Sequence, residues 1–259
     1  MKANEQLINA LVRARNSKQP IALNEAIRLT PDNETAAYAV QKEVAQALDW
    51  FKDQTPKLWK LGGTPGQPSA AALPQSALQY HDTNKTLMLE REDECLFTGL
   101  ELELAVKLNK TLYAGDNLDN AKAAIGEVYL ALEVCDQRAQ QWQSLPSLFK
   151  LADHQMNRSI ILCGMPLSEW DEQLMNIAPF IQLGKEVIND NTLITHPQGH
   201  PLKMLPWLAT LSEQLYQQPL QAGSIIATGA WAGIQTISES TPFKATLNNF
   251  PEIRVELTA

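Results

Sequence analysis

Leu100-Glu101-Leu102-Glu103-Leu104-Ala105-Val106-Lys107-Leu108 carries the pattern on which the fold turns. Leucine and valine take every second position, and Glu101, Glu103, Ala105 and Lys107 fill the places between, the period of two that a pleated strand imposes. Val128, Leu130, Leu132 and Val134 repeat the pattern against Glu127, Tyr129, Ala131, Glu133 and Cys135. Each run predicts a strand with one apolar face. Short apolar runs at 180–183, 225–228, 243–247 and 253–257, separated by Gly, Pro or Asn, predict further strands.

Upstream the period is 3.6. Ala37, Val40, Val44, Leu48 and Phe51 recur at steps of three and four, one stripe of an amphipathic helix with Thr30 as its expected N-cap and Pro31 at its first position. Leu7, Ile8, Leu11 and Val12 give a shorter stripe that closes near Pro20, and residues 201–216 predict a helix among the strands. Residues 62–76 turn to Gly, Pro, Ser, Gln and Ala, which reads as a loop or lid and as the nearest thing to a boundary. Helices first and strands after predict an α+β fold, not repeating βαβ units. The expected layout is a helical N-terminal region, residues 1–80, packed on a mixed β-rich domain, residues 81–259, as one compact unit.

The chain has 259 residues, 44% of them hydrophobic, enough to bury a sizeable core. A net charge of −8 gives no general attraction to phosphate backbones or anionic lipid, so neither nucleic acid nor a membrane is an expected partner. The polar start, residues 1–6, lacks the apolar core of a signal peptide. No apolar run approaches the ~18–20 residues that span a bilayer. The expectation is a soluble, cytoplasmic protein. Cys95, Cys135 and Cys163, odd in number and without a C-x-x-C pair, read as reduced thiols serving as small core hydrophobes.

Glu101 and Glu103, two apart on one strand, share a face with Cα atoms roughly 6.5–7 Å apart. That spacing suits chelation of a hard cation; it equally suits the solvated face of a strand shared with Lys107. Glu133, among Tyr129, Ala131 and Cys135, lies on a face too apolar for ordinary exposure and needs a partner: a cation, Arg138 or Lys60. Carboxylates without nearby His or Cys select Mg²⁺ or Mn²⁺ over Zn²⁺. Lys60, in the apolar run from Leu58 to Gly62, suits a substrate carboxylate or a proton transfer, unless its stem merely snorkels over Trp59. His196 and His200 are four apart, but Pro197, Gly199 and Pro201 break any helix that would aim them at one zinc ion. There is no G-x-S-x-G elbow, and residues 62–66 lack the Lys-Ser/Thr of a P-loop. Serine hydrolase and nucleotidase chemistry therefore have no support.

Six pieces in order, the last made of three short segments, resemble the 2-keto-4-pentenoate hydratase branch of the fumarylacetoacetate hydrolase superfamily. Ala37-Tyr38-Ala39-Val40-Gln41 is similar to its A-Y-x-x-Q, Trp59-Lys60-Leu61-Gly62-Gly63-Thr64 to W-K-[IL]-G-x-T, and Glu101-Leu102-Glu103-Leu104-Ala105 to E-x-E-x-A. Glu133-Val134-Cys135-Asp136-Gln137-Arg138 resembles E-[IV]-x-D-S-R with Gln137 in place of Ser; Leu151-Ala152-Asp153 with Gly164 resembles the later A-D segment and its glycine. Trp207-Leu208-Ala209, Leu220-Gln221-Ala222-Gly223 and Thr228-Gly229 complete the series.

The resemblance implies a fumarylacetoacetate-hydrolase-like fold, a homo-oligomer, and Mg²⁺ or Mn²⁺ on Glu101, Glu103 and Glu133. It implies a small 2-oxo acid or dienol substrate contacted by Lys60, Thr64, Asp136 and Thr228, with Lys60 handling the carboxylate or a proton. The implied reaction adds water to a 2-hydroxy-2,4-dienoate to give a 4-hydroxy-2-oxo acid. A 2-oxo acid decarboxylase, an acylpyruvate hydrolase and an oxo-acid-binding relative without turnover are alternatives on the same scaffold. Residues 65–86 depart from the usual lid with its acid, and Asp82 is the candidate catalytic replacement.

Overall fold

The period of 3.6 becomes α1 (Ala3–Ser17), α2 (Leu23–Arg28) and α3 (Glu34–Ala47), and Leu7, Leu11, Val40 and Val44 of its stripes are fully buried. This computed structural model describes residues 3–52, 55–90, 98–167, 177–238, 241–247 and 250–258. α3 starts later than Thr30-Pro31 suggests. The side chain of Asn33 accepts the Ala36 N–H at 2.9 Å and caps the helix, while the Thr30 hydroxyl donates to Ala26 O and closes α2.

The remaining elements are β1 (Leu58–Thr64), β2 (Gln67–Leu73), β3 (Leu78–His81), β4 (Leu87–Glu90), β5 (Gly99–Leu108), α4 (Leu118–Ala123), β6 (Ile125–Cys135), α5 (Ser147–Ala152), β7 (Asn157–Leu167), β8 (Phe180–Leu183), β9 (Glu186–Asp190), α6 (Leu205–Tyr216), β10 (Ile225–Ala227), β11 (Gln235–Thr236), β12 (Phe243–Thr246) and β13 (Ile253–Thr258). One sheet runs β2-β1-β10-β5-β6-β7-β3 with β11 on β5, and a second runs β4-β13-β12-β8-β9. No helix among the described residues is long and apolar enough to cross a membrane.

Residues 62–76, expected as a loop or lid, are mostly a hairpin. β1 turns at Pro65-Gly66, where Gly66 takes φ +80°, and returns as β2 with Ala71 opposite Lys60 and Ser69 opposite Gly62. A strand with three consecutive alanines, Ala70–Ala72, shows no apolar alternation, which is why the text hid it. As an edge strand β2 leaves backbone groups to be satisfied, and α3 does so. The Tyr38 hydroxyl accepts the Ala70 N–H at 3.1 Å and Gln41 Nε2 donates to Ala70 O at 3.2 Å.

Both faces of the large sheet are covered. Leu100, Leu102, Leu104 and Val106 join Val128, Leu130, Leu132 and Val134 in the main core. The opposite face carries a smaller cluster of short side chains, including Ala71, Ala105, Ala131 and Ala227 with Leu58, Ile160 and Leu162. The charged residues of β1, β5 and β6 interrupt this second face.

Candidate active site

Strand register brings the charged groups together. Glu101 of β5 lies opposite Glu133 of β6, and β10 bridges β5 to β1 with Ala227 opposite both Ala105 and Lys60. Alternate residues of a strand share a face, so Lys60, Glu101, Glu103 and Glu133 converge. Lys60 Nζ lies 2.7 Å from Glu133 Oε2 and 3.6 Å from Glu101 Oε2. Of the two side chains weighed as partners for Glu133, Arg138 and Lys60, Lys60 is the one that meets it. Glu133 Oε1 accepts from Asn157 Nδ2 at 2.9 Å, and Glu103 Oε2 accepts the Gly229 N–H at 2.9 Å. Glu103 and Glu133 are buried and the Glu101 side chain is 13% exposed, so the solvated-face reading of the Glu-x-Glu strand fails.

Burial penalises these charges. It pushes the Glu133 carboxyl up to about 7 although Lys60 opposes the shift. Burial, with Glu133 and Glu101 nearby, holds Glu103 well above the usual carboxylate range. Burial also works against the Lys60 ammonium, but Glu133 and Glu101 outweigh it and keep the lysine firmly protonated. Three carboxylates thus face one ammonium, and the buried Glu103 Oε1 has no hydrogen-bond partner among the described residues. Excess negative charge and an orphaned oxygen fit a divalent cation with hard oxygen ligands.

Cys135 modifies that donor set. It is buried as expected, yet its Sγ lies 3.7 Å from Glu101 Oε2, and Glu101, Glu133 and Cys135 offer ligand atoms all within 4.8 Å of one another. The premise of no nearby Cys is corrected here. Burial, reinforced by Glu133 and Glu101, raises the thiol far above its ordinary range, so the oxygens remain the ready ligands. Cys163 is buried in the main core, and Cys95 lies outside the described residues.

A cavity of ≈ 470 Å³ opens onto Lys60 and Glu101, walled by Thr64, Gln155, His196 and Trp231 among others. His154, Gln155 and Met156 take φ of 53°, 56° and 63° in succession. This left-handed turn aims Gln155 and Met156 at the cavity and delivers Asn157 to Glu133. His196 is fixed and neutral. Its Nδ1 accepts the Gln198 N–H, which leaves the proton on Nε2 to bond Thr228 O at 3.1 Å, and burial lowers its pKa to about 4.

Residues 35–258 match the family described as fumarylacetoacetate (FAA) hydrolase, C-terminal. The chain belongs to the fumarylacetoacetate hydrolase family. It is 26% identical over 266 residues to a 2-keto-4-pentenoate hydratase of Paraburkholderia phymatum, covering 98% of this chain and 97% of the relative. It is 23% identical over 238 residues to 2-keto-4-pentenoate hydratase 1 of Dechloromonas aromatica, covering 87% and 86%. Its fold is similar to that of 4-oxalocrotonate decarboxylase from Pseudomonas putida G7, solved with magnesium and adipate, at TM-score 0.81, 18% identity and 98% coverage of both chains. Fumarylpyruvate hydrolase from Pseudomonas aeruginosa, solved with Mn²⁺ and pyruvate, matches at TM-score 0.61 and 14% identity over 79% of this chain and 90% of that one.

In this fumarylacetoacetate hydrolase family member Lys60, Thr64 and Glu101 line the cavity, with Glu103 and Glu133 buried beside them. Thr228 is spent structurally: its hydroxyl donates to Leu104 O at 2.9 Å and its carbonyl meets His196. Asp136 is not brought to the cavity. The strand period turns it away from Glu133, and it lines a second cavity of ≈ 420 Å³ with Arg15 and Arg138. Nor is Asp82, which is exposed in the turn after β3, where its Oδ1 accepts both the backbone and side-chain N–H of Asn84. Gln155, Ser69 and Asn157 escaped the sequence reading, and His196 enters it only as a zinc ligand. Isolated polar residues carry no periodic signal; only the A-D segment just before Gln155 pointed near them.

Proposed function

We propose that the chain is a divalent-metal-dependent hydratase that adds water to a 2-hydroxy-2,4-dienoate to give a 4-hydroxy-2-oxo acid. The observation that carries this reading is Lys60 and Glu101 at the wall of one cavity with the buried carboxylates of Glu103 and Glu133 beside them. Glu101, Glu103 and Glu133 would hold Mg²⁺ or Mn²⁺. A cation bound there supplies positive charge where the substrate's carboxylate and C2 oxygen gather negative charge. Lys60, kept protonated by Glu133 and Glu101, binds the substrate carboxylate and is the proton donor nearest to it. Asn157 and the Gly229 N–H hold Glu133 and Glu103 in place. Trp231 and Met156 make part of the wall apolar, which restricts water around the reacting carbons. The two relatives named as hydratases support this choice.

A second reading is decarboxylation of a 2-oxo acid, which needs the same charge stabilisation but no activated water. One observation favours it: among the described residues the carboxylates lining the cavity are Glu101 and the exposed Glu34, so no further buried acid stands there to activate water. The test is product analysis by NMR after incubating the Mg²⁺-loaded chain with 2-hydroxy-2,4-pentadienoate, 4-oxalocrotonate or an acylpyruvate. Formation of 4-hydroxy-2-oxopentanoate supports hydration. Release of CO₂, or of a cleaved acid, with no hydration product overturns it.

A further inference from the structure

Gln155 occupies a position its sequence does not favour. A non-glycine residue in the left-handed region is disfavoured by contact of its Cβ with the backbone, and three in succession, His154, Gln155 and Met156, persist only where the surroundings impose them; such strain gathers at functional sites. The turn is held on both sides. Gln41 of α3 donates to Leu151 O on α5 just before it, and Asn157 is tied to Glu133 just after it.

The result is an amide set across the β1–β2 hairpin. Gln155 Nε2 donates to Ser69 Oγ at 3.1 Å. Gln155 Oε1 fills the space beside Gly62, where an added Cβ would lie 2.5 Å from it. Ser69 is the cross-strand partner of Gly62, and Gly62 shares a face of β1 with Lys60, their Cα atoms roughly 6.5–7 Å apart. All four residues line the cavity. One end therefore presents the ammonium and carboxylates, and the other presents an amide and a hydroxyl.

We propose, on the reading of the site given above, that Gln155 and Ser69 form the subsite for the end of the substrate farthest from its carboxylate. The subsite takes an uncharged hydrogen-bonding group that both donates and accepts, such as a hydroxyl on the distal carbon, and discriminates against a second carboxylate. The chemistry of the pair dictates this. Ser69 Oγ accepts from Gln155 and retains its proton to donate, while Gln155 Oε1 is an acceptor with no donor among the described residues. A hydroxyl satisfies both atoms, whereas a carboxylate brings only acceptors and would face Oε1 unpaired. Of the charged side chains lining the cavity away from Lys60 and Glu101, Lys150 is half-buried and Glu34 exposed, one of each sign.

The experiment is calorimetry on the full chain loaded with Mg²⁺, using 5-hydroxy-2-oxopentanoate and 2-oxopentanedioate, which differ only in whether the distal carbon carries a hydroxyl or is a carboxylate. Oxalate, too short to reach Gln155, reports the metal and Lys60 end alone. Two variants are compared with the native chain: Gln155→Asn, which tolerates the left-handed backbone but is too short for Ser69, and Ser69→Ala. The expected result is a preference for 5-hydroxy-2-oxopentanoate of roughly tenfold or more in the native chain, lost in both variants while oxalate binding changes less than about twofold. A native preference for the dicarboxylate, or a native preference retained in either variant, overturns the subsite. Failure of the native chain to bind oxalate overturns the metal-site reading itself, and the subsite with it.

Discussion

Lys60 Nζ and Glu133 Oε2, 2.7 Å apart, form a buried ion pair between two strands that are not neighbours, since β10 and β5 lie between β1 and β6. Alanines stand in the intervening positions: Ala227 beside Lys60, then Ala105 beside Ala227. Their short side chains leave the lysine room to cross. The fold thus builds its charged centre from residues distant in sequence and fills the space around it with methyl groups.

Removing the ammonium should therefore damage both stability and chemistry. Lys60→Met leaves Glu133 buried with Asn157 as its remaining tie, and breaking such a pair costs on the order of 3–5 kcal/mol, less where Glu133 takes up a proton instead. Urea unfolding should show a larger loss at pH 8 than at pH 5. Turnover should fall by ~10²–10⁴. A variant as stable and active as the native chain would place Lys60 outside the mechanism.

Stability of the metal-free chain should depend on pH through Glu133. Burial raises its folded-state pKa to about 7, while the unfolded carboxyl titrates near its ordinary ~4.3. Between these values the native state holds a proton that the unfolded state has released, so stability falls as pH rises through this window. Melting temperatures of the native chain and Glu133→Gln, measured from pH 4.5 to 8 in chelator, should diverge with the native chain losing more. Saturating Mg²⁺ should remove the loss, because ionised carboxylates bind it best. Parallel curves for the two chains in chelator would contradict the assignment.

Arg138 should matter to the fold and not to the metal. Its Nε donates to both carboxylate oxygens of Asp153 at 2.9 Å, and Arg15 Nη2 reaches Asp153 Oδ1 at 3.1 Å. Arg138→Met should lower stability by about 3–5 kcal/mol yet leave Mg²⁺ affinity within about twofold of native. A selective loss of metal binding in a folded Arg138→Met chain would show that Asp136 and Arg138 belong to the site after all.

What the text of the chain revealed follows from which forces are local. The alternation through Glu101 and Glu103, and the same alternation around Glu133, are strand periods written directly in the residues, and both strands appear as read. That Lys60 meets those carboxylates depends on the parallel pairing of β1 with β10, a contact between residues 58–60 and 225–227, which no window of sequence contains. β2 escaped because alanine marks neither face of a strand. Asp136 and Asp82 looked close to the chemistry in the text, but the period of two turns the first away and a surface turn occupies the second. Gln155 reaches the cavity through backbone angles that glutamine does not advertise.

The central claim is that Glu101, Glu103 and Glu133 are a metal site serving a 2-oxo acid. Its most direct test is calorimetric titration of Mg²⁺ and Mn²⁺, with and without oxalate, into the native chain and Glu103→Gln. The native chain should bind metal, oxalate should tighten the binding, and the substitution should abolish both. A native chain that binds neither ion, or a Glu103→Gln chain that binds as tightly as the native one, would contradict it.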